Sequence, residues 1–132
     1  MLFAYAALGA ARPTLTELMH QSGSDKAGHH QYTLYYEQHL QHLRDEPVNF
    51  LEIGVLREAS LKAWDSWFSR AHIFGGDRQK YPSRRILPCD QSNATQLRAV
   101  AALREWDVVL DDGSHVPSHQ LETFLAFFPQ LR

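Results

Sequence analysis

Four short apolar runs dominate the sequence: VNFLEIG (48–54), HIFGGD (72–77), RRILPCD (84–90) and WDVVLD (106–111). Each is short enough for a buried strand, and each carries or ends on a carboxylate. Helical spacing lies between or after three of them. From Ser60 to Phe68, the residues Leu61, Trp64 and Phe68 share one face. From Asn93 to Leu103, Leu97, Val100, Ala101 and Leu103 turn inward. Pro117 suits the first turn of a last helix that carries Leu121, Phe124, Leu125 and Phe128. Strands alternating with helices specify an open α/β sheet. Its apolar strands call for cover on both faces. Right-handed crossovers then bring all the strand C-termini to one edge, where ligands bind at the point of strand-order reversal.

Upstream, Thr14 and Glu17 form a capping-box pattern that starts a helix, and SGSDKAGHH (22–30) reads as a turn-rich loop. A second helix is expected over Thr33–Leu43, and Asp45-Glu46-Pro47 breaks the chain after it. The 132 residues fit a single domain, with 1–46 a helical lead-in and 47–132 an α/β core. The net charge is −2, and the 13 basic residues form no stripe, so neither nucleic acid nor an anionic membrane is the expected partner. The one cysteine, Cys89, precludes a disulfide within the chain and fits a cytoplasmic setting. The N-terminal MLFAYAALGAAR lacks the basic n-region of a secretory signal, and no apolar run approaches the roughly 20 residues of a membrane span.

The expected strand ends carry Glu52 and Gly54, then Asp77, then Asp90-Gln91-Ser92, then Asp111-Asp112. A rim of carboxylates and amides is a poor cradle for a pyrophosphate. The first loop, EIGVLREAS, has a single glycine and then Glu58, so the dinucleotide motif G-x-G-x-x-G is absent. A nicotinamide-dependent oxidoreductase is therefore disfavoured. S-adenosylmethionine fits better: a ribose diol donates to Asp77, an adenine amine to Asp90 or Gln91, and the sulfonium and amino groups prefer nearby carboxylates.

The stretches SDKAGHHQYTLYYEQHL, LEIGVLREASLKAW, CDQSN and DVVLDDGSHVPSHQLETFLAFFPQL, in that order, resemble the metal-dependent class I O-methyltransferases of macrolide biosynthesis. Those enzymes act on deoxysugars, and cephalosporin-hydroxylase-like proteins are a related branch. The resemblance implies a Rossmann-like sheet, S-adenosylmethionine as methyl donor and Mg²⁺ as activating metal. It places Glu52 and Gly54 on the first glycine motif, Asp77 on the ribose, Asp90 and Gln91 on the adenine side, and Asp111 at the closure of the cofactor pocket. Asp112 is the implied metal ligand, with Asp111 the other candidate. It also implies a loop at His29-His30 that caps the pocket.

Three departures qualify the resemblance. Glu58 and Ala59 stand where the family has glycine, and Gly76 replaces an apolar residue, which is expected to loosen the second strand. The chain ends at FFPQLR, before the family's fifth strand, the acidic pair that completes its metal site, and the segment bearing its base, so it reads as truncated. The leading function is Mg-assisted methylation of a sugar hydroxyl on a small natural product. The alternative is a non-catalytic remnant that binds cofactor weakly or packs against a partner. An open sheet edge favours self-association. Duller readings stand beside these. Asp111 to Ser114 can be a capped turn, Asp77 and Asp90 ordinary loop acids, and Glu52 a buried structural acid. The pairs His115/His119 and His39/His42 are too few for zinc, Trp64, Trp67 and Phe68 read as core, and Cys89 as buried filler.

Overall fold

The computed structural model describes residues 11–28 and 31–132. The apolar N-terminal residues 1–10 and the His29-His30 pair lie outside them. Among the described residues the helices are α1 (Leu15–Ser22), α2 (Tyr32–Leu40), α3 (Ala59–Trp67), α4 (Ala94–Ala101) and α5 (Pro117–Phe127). The strands are β1 (Asn49–Ile53), β2 (His72–Asp77), β3 (Ile86–Pro88) and β4 (Val108–Asp111). Local chemistry sets the helix starts. Thr14 and Glu17 close the expected capping box on α1, and the Asn93 side chain accepts from the amides of Thr95 and Gln96 to cap α4.

The strands form one sheet in the order β3-β2-β1-β4, every pair parallel. The chain moves outward from β1 through β2 to β3, then crosses back to place β4 on the other side of β1. The strand order therefore reverses between β1 and β4. Register sets Glu52 between Gly75 and Leu110, and Ile53 between Gly76 and Asp111.

Period-two alternation along β1 divides the core. Phe50 packs on one face with Leu15, Leu18, Met19, Leu61, Trp64 and Trp67, beneath α1 and α3. Leu51 and Ile53 pack on the other with Cys89, Leu97, Val100, Trp106 and Phe127, beneath α4 and α5. The tryptophans of α3 are core residues, and Cys89 is buried.

Two expectations need correction. Gly76 does not loosen β2, which pairs with β1 through that residue. Side chains are crowded out here: a Cβ at Gly75 would lie 2.4 Å from Val55 Cγ2, so something would have to shift, and one at Gly76 would lie a tight 3.1 Å from Cys89 Cβ. The glycines let neighbouring layers approach. The last helix carries its apolar stripe outward. Leu121, Phe124, Leu125 and Phe128 are 57%, 56%, 57% and 60% exposed, while Thr123 and Phe127 are the buried residues of α5. The second correction is Leu103, expected to turn inward, which is exposed because α4 ends at Ala101, before it. β4 pairs with β1 along one edge. Beside its other edge only the bridge between Trp106 and Leu131 forms among the described residues.

Candidate functional site at the carboxyl ends of β1 and β4

Gly54 follows β1 with φ +91°, and a Cβ there would come within 2.2 Å of the Asp112 carbonyl oxygen. Glycine is thus required twice, for the left-handed backbone and for the close approach of the β4 loop. Backbone bonds lock the three loops together: the Gly54 amide donates to Gly76 O (2.8 Å) and the Asp112 amide to Ile53 O (2.9 Å).

Asp77 organises the first loop. Its Oδ2 accepts from the Val55 and Leu56 amides (3.0 and 3.4 Å), and its Oδ1 from the Gln79 amide (2.8 Å). The Tyr81 hydroxyl donates to the Leu56 carbonyl. Leu56 and Glu58 hold φ values of 51° and 59°, the left-handed region that glycine occupies without cost. That accounts for the glycine expected at position 58 in the resembled family. Strained non-glycine backbone of this kind persists only where surrounding contacts impose it.

Asp90 and Gln91 differ in what they leave available. Asp90 Oδ1 accepts from the Ser92 amide and hydroxyl (2.9 and 2.7 Å), which lowers its pKa, and the carboxylate stays at the surface. Gln91 is buried and its amide is engaged inside the protein. Its Nε2 donates to both Asp111 oxygens (2.9 and 3.0 Å) and to Thr123 Oγ1 (2.9 Å), and its Oε1 accepts from the Ser114 amide (2.7 Å). Gln91 therefore ties the β3–α4 turn to the β4 loop and to α5, and Asp111 is the carboxylate it orients. Cys89 lies beneath this group. Burial, then the charges of Asp111, Asp90 and Asp77, push its thiol up to about 12, so it is no nucleophile at neutral pH.

At the strand reversal, Glu52 is wholly buried beneath the rim. It accepts from Ser60 Oγ (2.6 Å) and Trp64 Nε1 (2.8 Å), and Lys26 Nζ stands 3.1 Å away. The same ammonium lies 2.5 Å from Asp112 Oδ2. Burial raises the Glu52 pKa, opposed by Lys26, Ser60 and Trp64. Burial alone would lower the Lys26 pKa, but Glu52 and Asp112 outweigh it and hold the group cationic. Tyr36, beside them, is pushed up to about 12 by burial and by Asp112, so its hydroxyl stays protonated. Lys26, Ser60, Trp64 and Tyr36 were not singled out as site residues from the sequence. Ser60 and Trp64 had a signal, being four apart on the helix after β1. Lys26 lies in the first stretch of the resemblance, but 86 residues before Asp112, so no spacing tied the two together.

Asp112 Oδ1 accepts no hydrogen bond from the described residues and is 4.0 Å from His115 Nε2. His115 is exposed and has φ 56°. Among the described residues no three His, Cys, Asp or Glu side chains converge as a metal site, and His119 bonds Ser114 Oγ instead (2.8 Å). Mg²⁺ keeps several waters and often takes only one or two protein carboxylates. Asp112 fits it as a single ligand through Oδ1. No helix among the described residues is long and apolar enough to cross a membrane.

No family model matches the sequence. Curated relatives do. The chain is 38% identical to the 8-demethyl-8-alpha-L-rhamnosyl tetracenomycin-C 2'-O-methyltransferase of Streptomyces olivaceus, over 96% of this chain and 37% of that protein. It is 34% identical to the mycinamicin VI 2''-O-methyltransferase of Micromonospora griseorubida, over 96% of this chain and 35% of that one. Among solved structures it superposes on MycE methyltransferase from the mycinamycin biosynthetic pathway, in complex with Mg, SAH and mycinamycin VI. The TM-score is 0.85 at 34% identity, covering 94% of this chain and 36% of MycE. The chain is thus a homologue of the natural-product sugar O-methyltransferases and shares their Rossmann-like fold, spanning about a third of their length.

Proposed function

We propose that the chain is an S-adenosylmethionine-dependent, Mg-assisted O-methyltransferase unit acting on a sugar hydroxyl of a small natural product. The observation that carries this reading is the likeness to MycE in complex with Mg, SAH and mycinamycin VI, at a level of identity that extends beyond fold. The rim geometry supports it. Asp77, half-exposed beside the Gly54–Leu56 loop, would accept from a ribose diol. Asp90, at the surface after β3, suits the adenine amine, with Gln91 and Asp111 shaping that wall of the pocket. Glu52 supports the rim from beneath, and Gly54 admits the β4 loop to it.

Asp112 would hold the metal through Oδ1, and bound Mg²⁺ supplies a Lewis acid that lowers the pKa of an acceptor hydroxyl. His115 presents the imidazole nearest that carboxylate among the described residues and would take the proton of the acceptor hydroxyl. Residues 1–46 and 47–132 act in this reading as one unit, lead-in and cofactor core, in a cytoplasmic setting. The open edge of β4 would pair copies of the chain.

Calorimetric titration with S-adenosylhomocysteine, with and without Mg²⁺, tests the reading. Micromolar binding is expected. Asp77→Ala should weaken it by about 1–3 kcal/mol, because buried ribose hydroxyls lose their acceptor. A folded chain that gives no heat would overturn the cofactor assignment, and unchanged affinity in the variant would overturn the role of Asp77.

A further inference from the structure

Lys26 belongs to the 3₁₀ turn Asp25–Ala27, yet its ammonium lies between two carboxylates of the rim. On one side is Glu52, immobilised in the core by Ser60 and Trp64. On the other is Asp112, the partly open member, whose other oxygen, Oδ1, lies 4.0 Å from His115 Nε2. The lysine itself is 5% exposed, so water screens it poorly. A second cation approaching Asp112 meets that ammonium on the same carboxylate, and two positive charges there repel strongly in a site with little water. Glu52, 3.1 Å from Nζ, is an acceptor onto which the ammonium can withdraw without losing a counter-ion.

We propose that Lys26 is the resident counter-cation of Asp112, and that a divalent cation binds Asp112 by displacing the ammonium onto Glu52. This deepens the reading of Asp112 as the metal-facing carboxylate and rests on it. The exchange makes and breaks no covalent bond. It keeps Asp112 compensated when no metal is bound, and it sets metal affinity below what the carboxylate alone would give. Lys26 is then a positioning residue, acting on the metal through Asp112.

The test is binding of Mn²⁺ to the 132-residue chain, followed by loss of the free-ion electron paramagnetic resonance signal. Lys26→Met removes the competitor. Because it also leaves Glu52 buried without its cation, Lys26→Met/Glu52→Gln is measured beside it; the amide oxygen at position 52 can still accept from Trp64 Nε1 while the amide NH₂ donates to Ser60 Oγ. Folded variants, judged by cooperative thermal unfolding, should bind Mn²⁺ roughly tenfold or more tighter than wild type. Adding Asp112→Asn should abolish that gain. Lys26→Arg, which retains a cation, should stay near wild type. Equal or weaker binding by the folded variants overturns the displacement, and wild-type binding in that case leaves the metal reading intact. A wild type silent toward Mn²⁺ beside tight binding by the variants overturns the displacement, because the ammonium then excludes the metal, and retires metal dependence of the natural chain. Silence from all of them overturns both.

Discussion

On one face of the sheet, Trp64, Trp67 and Phe68 interlock with Phe50 beneath α1 and α3. On the other, α4 and α5 bury Leu97, Val100, Trp106 and Phe127 but leave Leu121, Phe124, Leu125 and Phe128 open. The two faces also root the rim differently. The first holds Glu52 through Trp64 and Ser60, so core packing and site geometry share a side chain. The second holds Asp111 through Gln91 and Thr123, a polar bridge at the edge of the packing. A carboxylate inside an aromatic core is stabilised only while its donors stay in place, so damage to the first face should reach the site more directly.

Trp64→Ala should therefore have the largest effect. Loss of a buried indole costs about 3–5 kcal/mol, and here it also strips Glu52 of a donor. Phe127→Ala, the corresponding truncation on the second face, should cost about 3 kcal/mol with no effect on Glu52. Denaturant unfolding of the two variants sharpens the contrast. Equal losses, or S-adenosylhomocysteine binding more impaired by Phe127→Ala, would break it.

Gly54→Ala lies where the faces meet. The added methyl would collide with the Asp112 carbonyl and sit on a left-handed backbone, so about 1–3 kcal/mol of stability should be lost. Because the strain falls on the β4 loop, amide exchange should accelerate at Asp112 to Ser114 before it does in the core. Uniform acceleration would mean that the loop is not the element displaced.

Much of this arrangement is legible in the residues themselves. β1 announces itself as a buried central strand, Thr14 and Glu17 mark the start of α1, and the acids at four strand ends foretell the rim. What stays hidden depends on distance or on partners. Lys26 meets Asp112 from 86 residues away, and Gln91 reaches Ser114 from 23; no local pattern encodes either meeting. Gln91 reads as a rim amide, although its hydrogen bonds all run inward. The stripe on α5 has the period of a buried face, but periodicity says only that a face is apolar, not that something covers it. Glycines 75 and 76 read as weak points, whereas they are the places where layers approach.

Cys89 tests the second face without removing bulk. Its folded pKa of about 12 lies above that of an exposed thiol, about 8.5. Below the exposed value both folded and unfolded states hold the proton, and the stabilisation is fully present. As pH rises toward 12 the unfolded thiol ionises first, and the stabilisation is lost through the folded pKa. Wild type should thus lose stability faster than Cys89→Ala over this range, although both lose some as tyrosines and lysines titrate. Parallel stability curves would mean that the thiol is more hydrated than its 2% exposure implies.

The smallest expected effect lies on the open stripe. Phe124 stacks on Phe128 with ring centroids 4.9 Å apart, but both rings are more than half exposed, so little apolar area is removed from water on folding. Phe124→Ser should change unfolding free energy by no more than about 0.5 kcal/mol, against about 3 for Phe127→Ala three residues on in the same helix. Its effect should appear in association instead. The stripe borders a cleft of about 290 Å³ lined by Val109, Thr123, Phe124, Phe127, Phe128 and Leu131, beside the open edge of β4. Exposed apolar surface next to unpaired strand groups favours contact between chains. Sedimentation velocity should show less self-association for Phe124→Ser than for wild type at equal concentration. If the substitution instead costs as much as Phe127→Ala, the stripe is covered in solution, and the two faces of the sheet are equally deep.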